Sequence, residues 1–567
     1  MKTYDLVTPA GTSDLLPEKV KILREIERGL SALFAENGFL EIMTTELEFM
    51  DVFNAKSRHF PPEGLYKAID DKGRILALRP DSTMPIARLA ASRLKAYSEL
   101  RLFYNQKVFR NSPGGRRRND ELRQMGVEFI GGVDIEKTDL EAAKLALDVF
   151  KLLPDSTKCI LEIGDIGITK MLLDLLTVDA DTKELIRNAI ESKNTPELTE
   201  ILHSVDGAVD IKEAVLKLPR LFGTDSAFDK AFVIIADESI RERLLRLHRF
   251  YLELVAANTR ENTKITVDLG FANKMDYYTG NVLRGFIENA GEALINGGRY
   301  DNLIGEFDPE AAKPATGFAV NMDIFASVFE KKHAPDNTAD VLSKLSSQIS
   351  CVAPEHTLRI ALTKGRLEKN AVKLFEDLGF DCTEIHDKGR RLILTVKGTD
   401  YSFEAVLAKP NDVITYVESG VCDLGIVGKD TILEDGGKFF ELLDLGFGKC
   451  RFAVAGKAGQ KDKTPIKTVA TKYPAVARSY FDALGADIDI VKIEGSVELA
   501  PLLKLSDAIV DIVETGSTLV ENGLEVYEDI VPLSAWLIAN RVSLKMYRDT
   551  IKQLIKSIKE KQKEQTS

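Results

Sequence analysis

The chain has 567 residues, of which 44% are hydrophobic and 29% charged, with a formal net charge of −12. That length allows two to four domains with substantial cores, and the acidity argues against a general nucleic-acid binder. The opening MKTYDLVTPAGTSDLLPEK lacks the apolar core of a signal peptide, and no apolar run approaches the roughly 18 residues a membrane helix needs. Five scattered cysteines without CxxC spacing read as idle thiols of a reducing cytoplasm, and six dispersed histidines offer no metal-ligand cluster.

Residues 18–37 place Val20, Ile22, Leu23, Ile26, Leu30, Leu33 and Phe34 at helical spacing, with Gly38 as C-cap. Residues 39–47 and 73–78 read as strands, and Arg79-Pro80-Asp81-Ser82-Thr83 leads from the second into a helical pattern at Met84. A strand over 102–110 ends in Phe109-Arg110, a polar loop spans 111–123, and 124–131 is extended again. Arg116-Arg117-Arg118 in that loop is a solvated charge run, or else a contact for a nucleotide or a neighbouring subunit. Residues 155–255 are largely helical in pattern, and the pattern breaks down over 331–357, a linker with a short helical piece at 341–345. From Leu358 strands and helices alternate: strands at 358–362, 391–396, 403–408 and 423–427, with helices at 367–378 and 413–419. A second series follows at 451–455, 468–471, 475–484 and 488–493, and such alternation predicts α/β layers.

Residues 507–522, DAIVDIVETGSTLVEN, close the series. Ala508, Ile509, Val510, Ile512 and Val513 make a buried strand; Glu514-Thr515-Gly516-Ser517-Thr518 breaks it, and a helix starts at Leu519. Such a turn aims free N–H groups and a helix dipole at an anion, with hydroxyls from Thr515, Ser517 and Thr518 and close approach at Gly516. Asp511 and Glu514 would repel a phosphate but suit the hydroxyls of a ribose attached to one. The same residues also fit an N-capping turn flanked by surface acids, and taken alone they do not decide between the two.

Residues 8–329 resemble the class II aminoacyl-tRNA synthetase core, histidyl-tRNA synthetase in particular. The blocks are Arg79-Pro80-Asp81-Ser82-Thr83 for RPEGT, Phe109-Arg110 for the motif-2 arginine, and Gln124-Met125-Gly126-Val127-Glu128 for QxGxE. Asp276-Tyr277-Tyr278-Thr279-Gly280 and Gly297-Gly298-Arg299-Tyr300-Asp301 match the histidine-specific segments. Two cations of the synthetase pattern are replaced: Asn273 stands for the arginine of RGLDYY, with Lys274 next to it, and Ile324 for the motif-3 arginine. Losing one transition-state contact of this kind costs about 2.7–4 kcal/mol, so losing two leaves adenylation negligible. The anticodon-binding domain is also missing after Phe329. The resemblance then implies a histidine sensor, with Asp81, Thr83, Arg110, Gln124, Glu128, Tyr277 and Tyr278 as its pocket, and no tRNA as partner.

Residues 358–559 resemble ATP phosphoribosyltransferase in its short form, which works with a separate synthetase-like regulatory subunit. The blocks are LTKGRL from Leu362, DLGIVGKD from Asp423, LLDLGFGKCR from Leu442, VATKYP from Val469, GSVELAPL from Gly495 and DAIVDIVETGSTL from Asp507. The expected architecture is thus α/β and α+β, a fusion of the two. An antiparallel-sheet synthetase-like domain spans 1–330, with a helical insertion at about 155–255. The linker spans 331–357, and a two-lobed, periplasmic-binding-protein-like α/β domain 358–567. The resemblance implies condensation of ATP with phosphoribosyl pyrophosphate (PRPP), the first step of histidine biosynthesis. Asp511, Glu514, Thr515, Gly516, Ser517, Thr518 and Leu519 would bind PRPP, and Lys364, Arg366, Arg390 (or Arg391) and Lys409 would be the catalytic cations. Mg²⁺ would be held through PRPP, with no direct protein ligands. L-histidine would act as allosteric inhibitor of a cytoplasmic homo-oligomer, a tetramer by analogy with four-plus-four assemblies. Three other classes remain: an active histidine–tRNA ligase, a solute-binding protein, and a catalytically inactive regulatory fusion.

Overall fold

The computed structural model describes residues 8–9, 11–54, 60, 62–111, 119–272, 277–330, 357–399, 401–461 and 466–566. It divides into two compact units, Met1–Pro354 and Glu355–Ser567. All of the expected linker except Thr357 lies outside the described residues, as do Arg116, Arg117, Arg118, Asn273, Lys274 and Asp276.

The first unit holds β1 (Leu40–Glu41), β2 (Leu47–Phe49), β3 (Lys67–Ile69), β4 (Ile75–Leu78), β5 (Glu99–Phe109) and β6 (Glu121–Gly131). They are followed by β7 (Cys159–Asp165), β8 (Phe222–Gly223), β9 (Thr263–Asp268), β10 (Asn281–Ile287), β11 (Ile295–Arg299) and β12 (Ala315–Asn321). Nine strands form one sheet, in the order β1-β5-β6-β12-β11-β10-β7-β9-β8, antiparallel apart from β1–β5 and β7–β9. Because side chains alternate along a strand, the two faces separate cleanly. Phe103, Met125, Val127, Phe129, Phe318 and Val320 enter the large core with the Pro17–Glu36 and Ile135–Phe150 helices. On the opposite face, Leu102, Glu128, Gly317 and Gly298 pair across strands as one row. The next row is Tyr104, Gly126, Ala319, Asn296 and Arg284.

One expectation needs correcting here, and another, the largely helical 155–255 region, holds with the strands β7 and β8 added. The stretch 39–47 is not one strand: between β1 and β2 the carbonyls of Thr44 and Thr45 accept from the Arg79 guanidinium, at 2.9 and 3.1 Å, instead of joining a ladder. The region 155–255 is helical only from Ile166 onward; Cys159–Asp165 is an interior strand, buried at all seven positions. A strand covered on both faces has no alternation to betray it.

The second unit holds β13 (Leu358–Thr363), β14 (Ile393–Val396), β15 (Phe403–Ala408), β16 (Leu424–Gly428), β17 (Phe439–Asp444) and β18 (Cys450–Lys457). The rest are β19 (Thr468–Thr471), β20 (Asp489–Lys492), β21 (Ala508–Val513), β22 (Leu524–Leu533) and β23 (Ala535–Asn540). One lobe carries the sheet β14-β15-β13-β16-β23-β17, the other β20-β19-β21-β18-β22. The chain leaves the first lobe after β17 and returns through Ser534 as β23, which inserts antiparallel between β16 and β17. Ile551, Leu554 and Ile558 of the closing Arg548–Thr566 helix join the core of that first lobe.

Candidate functional site

In the first lobe, the parallel strands β15, β13 and β16 end side by side, the edge where open α/β sheets bind ligands. Lys364 follows β13 and donates its backbone N–H to the Ala408 carbonyl at 2.9 Å, which sets it beside Lys409. Leu407 donates to the Leu392 carbonyl at 2.8 Å, bringing Arg390 and Arg391 to the same edge. Lys364, Arg366, Arg390 and Lys409 are all exposed. One strip of sheet edge therefore gathers the four predicted cations.

In the second lobe, β21 ends in the predicted cradle. Gly516 has φ +80°, a left-handed turn, and the short Ser517–Glu521 helix follows it. Thr515 Oγ1 and Ser517 Oγ lie 3.1 Å apart, and Thr515, Ser517 and Thr518 are exposed. Leu519 is placed otherwise than a ligand-contacting side chain: it is buried among Val513, Ile509 and Leu524, so only its backbone faces the turn. The Asp511 carboxyl is pushed up by burial, against the pull of the Ile512 N–H at 2.8 Å; Glu498 raises it further and Lys472 lowers it. Arg366 and Glu514 form an ion pair, joining the cation edge of one lobe to the cradle of the other. Three groups that received no role from the sequence also meet here. Burial drives the Tyr473 hydroxyl upward, and the Asp430 and Asp511 carboxylates, one from each lobe, add to it; Lys472 is the local counter-charge to both acids. Their blocks, DLGIVGKD and VATKYP, were visible; nothing in them assigned a role to these side chains.

The first unit carries a separate polar pocket on the Glu128 face of its large sheet. Glu128 is 1% exposed; the Thr83 hydroxyl donates to its Oε1 at 2.7 Å and the Tyr300 hydroxyl to its Oε2. A Cβ on Gly317 would collide with that carboxylate, which is why β12 has glycine opposite. Asp81 opens the Thr83–Ala91 helix, its Oδ1 accepting the Thr83 and Met84 N–H groups at 2.7 and 3.2 Å. Burial raises the Asp81 carboxyl and the Arg110 guanidinium pulls it back, while Arg110 Nε donates to the Pro80 carbonyl at 2.7 Å. The Tyr277 and Tyr278 rings are 4.6 Å apart, and both hydroxyls sense the Asp81 and Glu128 carboxylates. Gln124 is half-buried four residues before Glu128, on the same face. All seven predicted pocket residues are thus gathered on one face.

Sequence reasoning passed over two residues there. Tyr300, inside the GGRYD block, is the second clamp on Glu128. Gln106, paired across from Gln124, is 5% exposed; its Oε1 accepts from Thr44 at 3.1 Å, and its Nε2 has no partner among the described residues. Ile324, where the synthetase pattern has a cation, packs against the large core.

Glu128 is pushed up to about 8, chiefly by burial, with the Tyr300 and Thr83 hydroxyls opposing and Asp81 adding. At pH 7 it is therefore mostly neutral in the ligand-free chain. A cationic ammonium or imidazolium brought beside it favours the carboxylate, so binding should release a proton. Calorimetry at pH 7 in buffers of different ionisation enthalpy should register that release, and Glu128→Gln should abolish it. Binding heats independent of buffer in the parent chain would contradict the assignment.

Residues 11–324, more than half of the chain, match the family model described as histidyl-tRNA synthetase, and residues 409–560 that of ATP phosphoribosyltransferase. An ATP phosphoribosyltransferase of Clostridium kluyveri is 56% identical over 206 residues, 36% of this chain and 93% of that protein. The chain belongs to both families, fused end to end. Another ATP phosphoribosyltransferase, from Clostridium acetobutylicum, is 54% identical over 205 residues, 36% of this chain and 94% of that one. A solved structure from Bacillus halodurans, described as an ATP phosphoribosyltransferase regulatory subunit/histidyl-tRNA synthetase, is 26% identical. It covers 72% of this chain and 94% of that one with a TM-score of 0.52. The expected mixed architecture is thereby established, and the second unit is an ATP phosphoribosyltransferase, a transferase of histidine biosynthesis. Among the described residues, no helix is long and apolar enough to cross a membrane.

Proposed function

We propose that the chain is a histidine-regulated ATP phosphoribosyltransferase in which sensor and catalyst are one polypeptide. In the reaction, N1 of the ATP adenine attacks C1 of the PRPP ribose; the N1–C1 bond forms as the bond from C1 to pyrophosphate oxygen breaks, and pyrophosphate leaves. The step needs two polyanions held in line and the leaving charge neutralised, not a covalent intermediate. The exposed 515–518 turn would hold the 5′-phosphate through backbone N–H groups and hydroxyls, with Asp511 and Glu514 on the ribose hydroxyls. Lys364, Arg366, Arg390 and Lys409 would neutralise pyrophosphate and triphosphate from the opposite lobe. Among the described residues, no group of three or more His, Cys, Asp or Glu forms a metal site. Mg²⁺ would be brought in by PRPP and would supply charge neutralisation for the leaving pyrophosphate.

The regulatory half of the proposal rests on one contrast. Asp81, Thr83, Glu128 and Tyr300 keep a hydrogen-bonded acidic cluster, while Ile324 puts an apolar side chain into the core where activation chemistry wants a cation. Such a site holds an amino acid without activating it. Histidine bound there favours a less active arrangement of the transferase, and by linkage PRPP and ATP weaken histidine binding equally. Fusion keeps sensor and catalyst at an effective concentration up to about millimolar and at one-to-one stoichiometry. A homo-oligomer, a tetramer by analogy, and a cytoplasmic setting complete the reading.

The deciding experiment is formation of phosphoribosyl-ATP from ATP, PRPP and Mg²⁺ with and without L-histidine. Turnover that histidine depresses is expected, together with no histidine-dependent ATP–pyrophosphate exchange. Undiminished turnover at saturating histidine would remove the sensor, and detectable exchange would restore a ligase.

A further inference from the structure

A zwitterionic amino acid presents two charges, and the pocket on the Glu128 face has so far answered only one of them with an underused partner. Asp81 and Glu128 meet the ammonium or imidazole. Arg110 already donates to the Pro80 carbonyl and faces Asp81, so the carboxylate needs another cation.

Arg284 fits that requirement. It is the charged residue of β10, NVLRGFI, and cross-strand pairing sets it in the row of Asn296, Ala319 and Gly126, on the same sheet face as Glu128. Its guanidinium stacks on the Phe271 ring at 4.1 Å, and its side chain is 22% exposed. Among the described residues it donates no hydrogen bond; the carboxylate of Glu191 stands 3.8 Å away, beyond hydrogen-bond reach. Glu162 is its cross-strand neighbour on β7, a second carboxylate beside Glu191.

Tyr278 ties Arg284 to the pocket. A Cβ on Gly298 would come within 2.9 Å of the Tyr278 ring, so that ring lies over the Glu128 row of the sheet floor. Burial raises the Tyr278 hydroxyl, the Asp81 and Glu128 carboxylates add to that, and Arg284 pulls it back. Glu128, Tyr278 and Arg284 thus share one face of the sheet.

We propose that Arg284 recognises the carboxylate of the amino acid held in this pocket. Arginine suits the task because its planar fork can give two parallel hydrogen bonds to a carboxylate, and stacking on Phe271 holds the plane in place. The inference rests on the histidine reading of the pocket and names what that reading lacked, the group that separates histidine from its decarboxylated analogue.

The test uses the full chain and calorimetric titration with L-histidine and with histamine, which keeps the imidazole and the amine but has no carboxylate. Arg284→Met, of similar length and still able to cover Phe271, should weaken L-histidine about tenfold or more and leave histamine unchanged. Arg284→Lys keeps the charge without the fork and should recover part of the loss. If Arg284→Met does not fold, Arg284→Lys is read by itself, with the histidine-to-histamine preference falling severalfold. A preference unchanged in the variants overturns the role of Arg284 while leaving the pocket intact. Failure of the parent chain to bind L-histidine overturns the histidine reading, and this assignment with it.

Discussion

Gly516→Val should abolish phosphoribosyl transfer and leave histidine binding as it was. The space around Gly516 is open, with Val513 Cγ1 at 3.7 Å the nearest atom a Cβ would meet, so a steric clash is not the cause. The backbone is: φ +80° is a conformation that a β-branched residue adopts only with strain of order 1–3 kcal/mol. The turn relieves that strain by rotating, which swings the N–H groups of Ser517 and Thr518 away from the anion they are proposed to hold. Each charge-assisted hydrogen bond lost costs about 1.5–3 kcal/mol, so two of them remove roughly 10²–10⁴ in PRPP affinity. Steady-state rates against PRPP concentration measure this, with Gly516→Ala as the graded intermediate. An unchanged KM for PRPP in Gly516→Val would take the cradle away from this turn. Retained histidine binding would show that the effect is local to the second unit.

Arg299→Met should destabilise the first unit by about 3–5 kcal/mol, the cost of leaving one member of a buried ion pair behind. Arg299 and Asp139 are each 5% exposed in their side chains, with Nε and Nη2 of Arg299 at 2.9 and 2.8 Å from Asp139 Oδ1. Nη1 also reaches Asp301 Oδ1 at 2.8 Å, and Nη2 the Thr138 hydroxyl at 2.8 Å. Asn281 holds the other Asp139 oxygen at 2.9 Å. Burial raises the Asp139 carboxyl and Arg299 is what lowers it again, so without the arginine Asp139 must take up a proton or remain an uncompensated charge. Scanning calorimetry should show the transition of the first unit falling steeply, and a loss below about 1 kcal/mol would mean that Asp139 finds another partner. Arg299 is therefore a structural member of the GGRYD block, and Tyr300 beside it is the one that reaches the pocket.

That division shows where sequence was informative and where it was silent. The Gly516 turn and the cation edge were legible because each is local: strand, small residues, helix, or a lysine directly after an apolar run. Tyr300 was not, because the hydroxyl of the residue that follows β11 meets Glu128 of β6 only once β12 has come between those strands. Arg284 was hidden for the same reason, its role depending on a cross-strand register. Leu519 is a different case: it stands inside the proposed binding motif, but its side chain packs into the core, so any part it has in the cradle falls to its backbone. Cys159–Asp165 was lost among helices because complete burial erases the period of two. Two-family architecture was recoverable from ordered blocks, whereas the side chains that convert architecture into recognition were set by register.

The placement of β23 bears on how the protein is made. Its six residues are all buried, and it is the bridge between β16 and β17, yet it is synthesised after the whole of the second lobe. Until Asn540 has emerged from the ribosome, the first lobe waits with two hydrophobic strand edges bare, the kind of surface on which nascent chains stick to one another. The second lobe, complete at Leu533, is free to fold while its host is still open. Truncation anywhere before Ala535 would therefore remove an interior strand of the lobe that carries the proposed catalytic cations, and the expected product is an aggregate rather than a shortened enzyme.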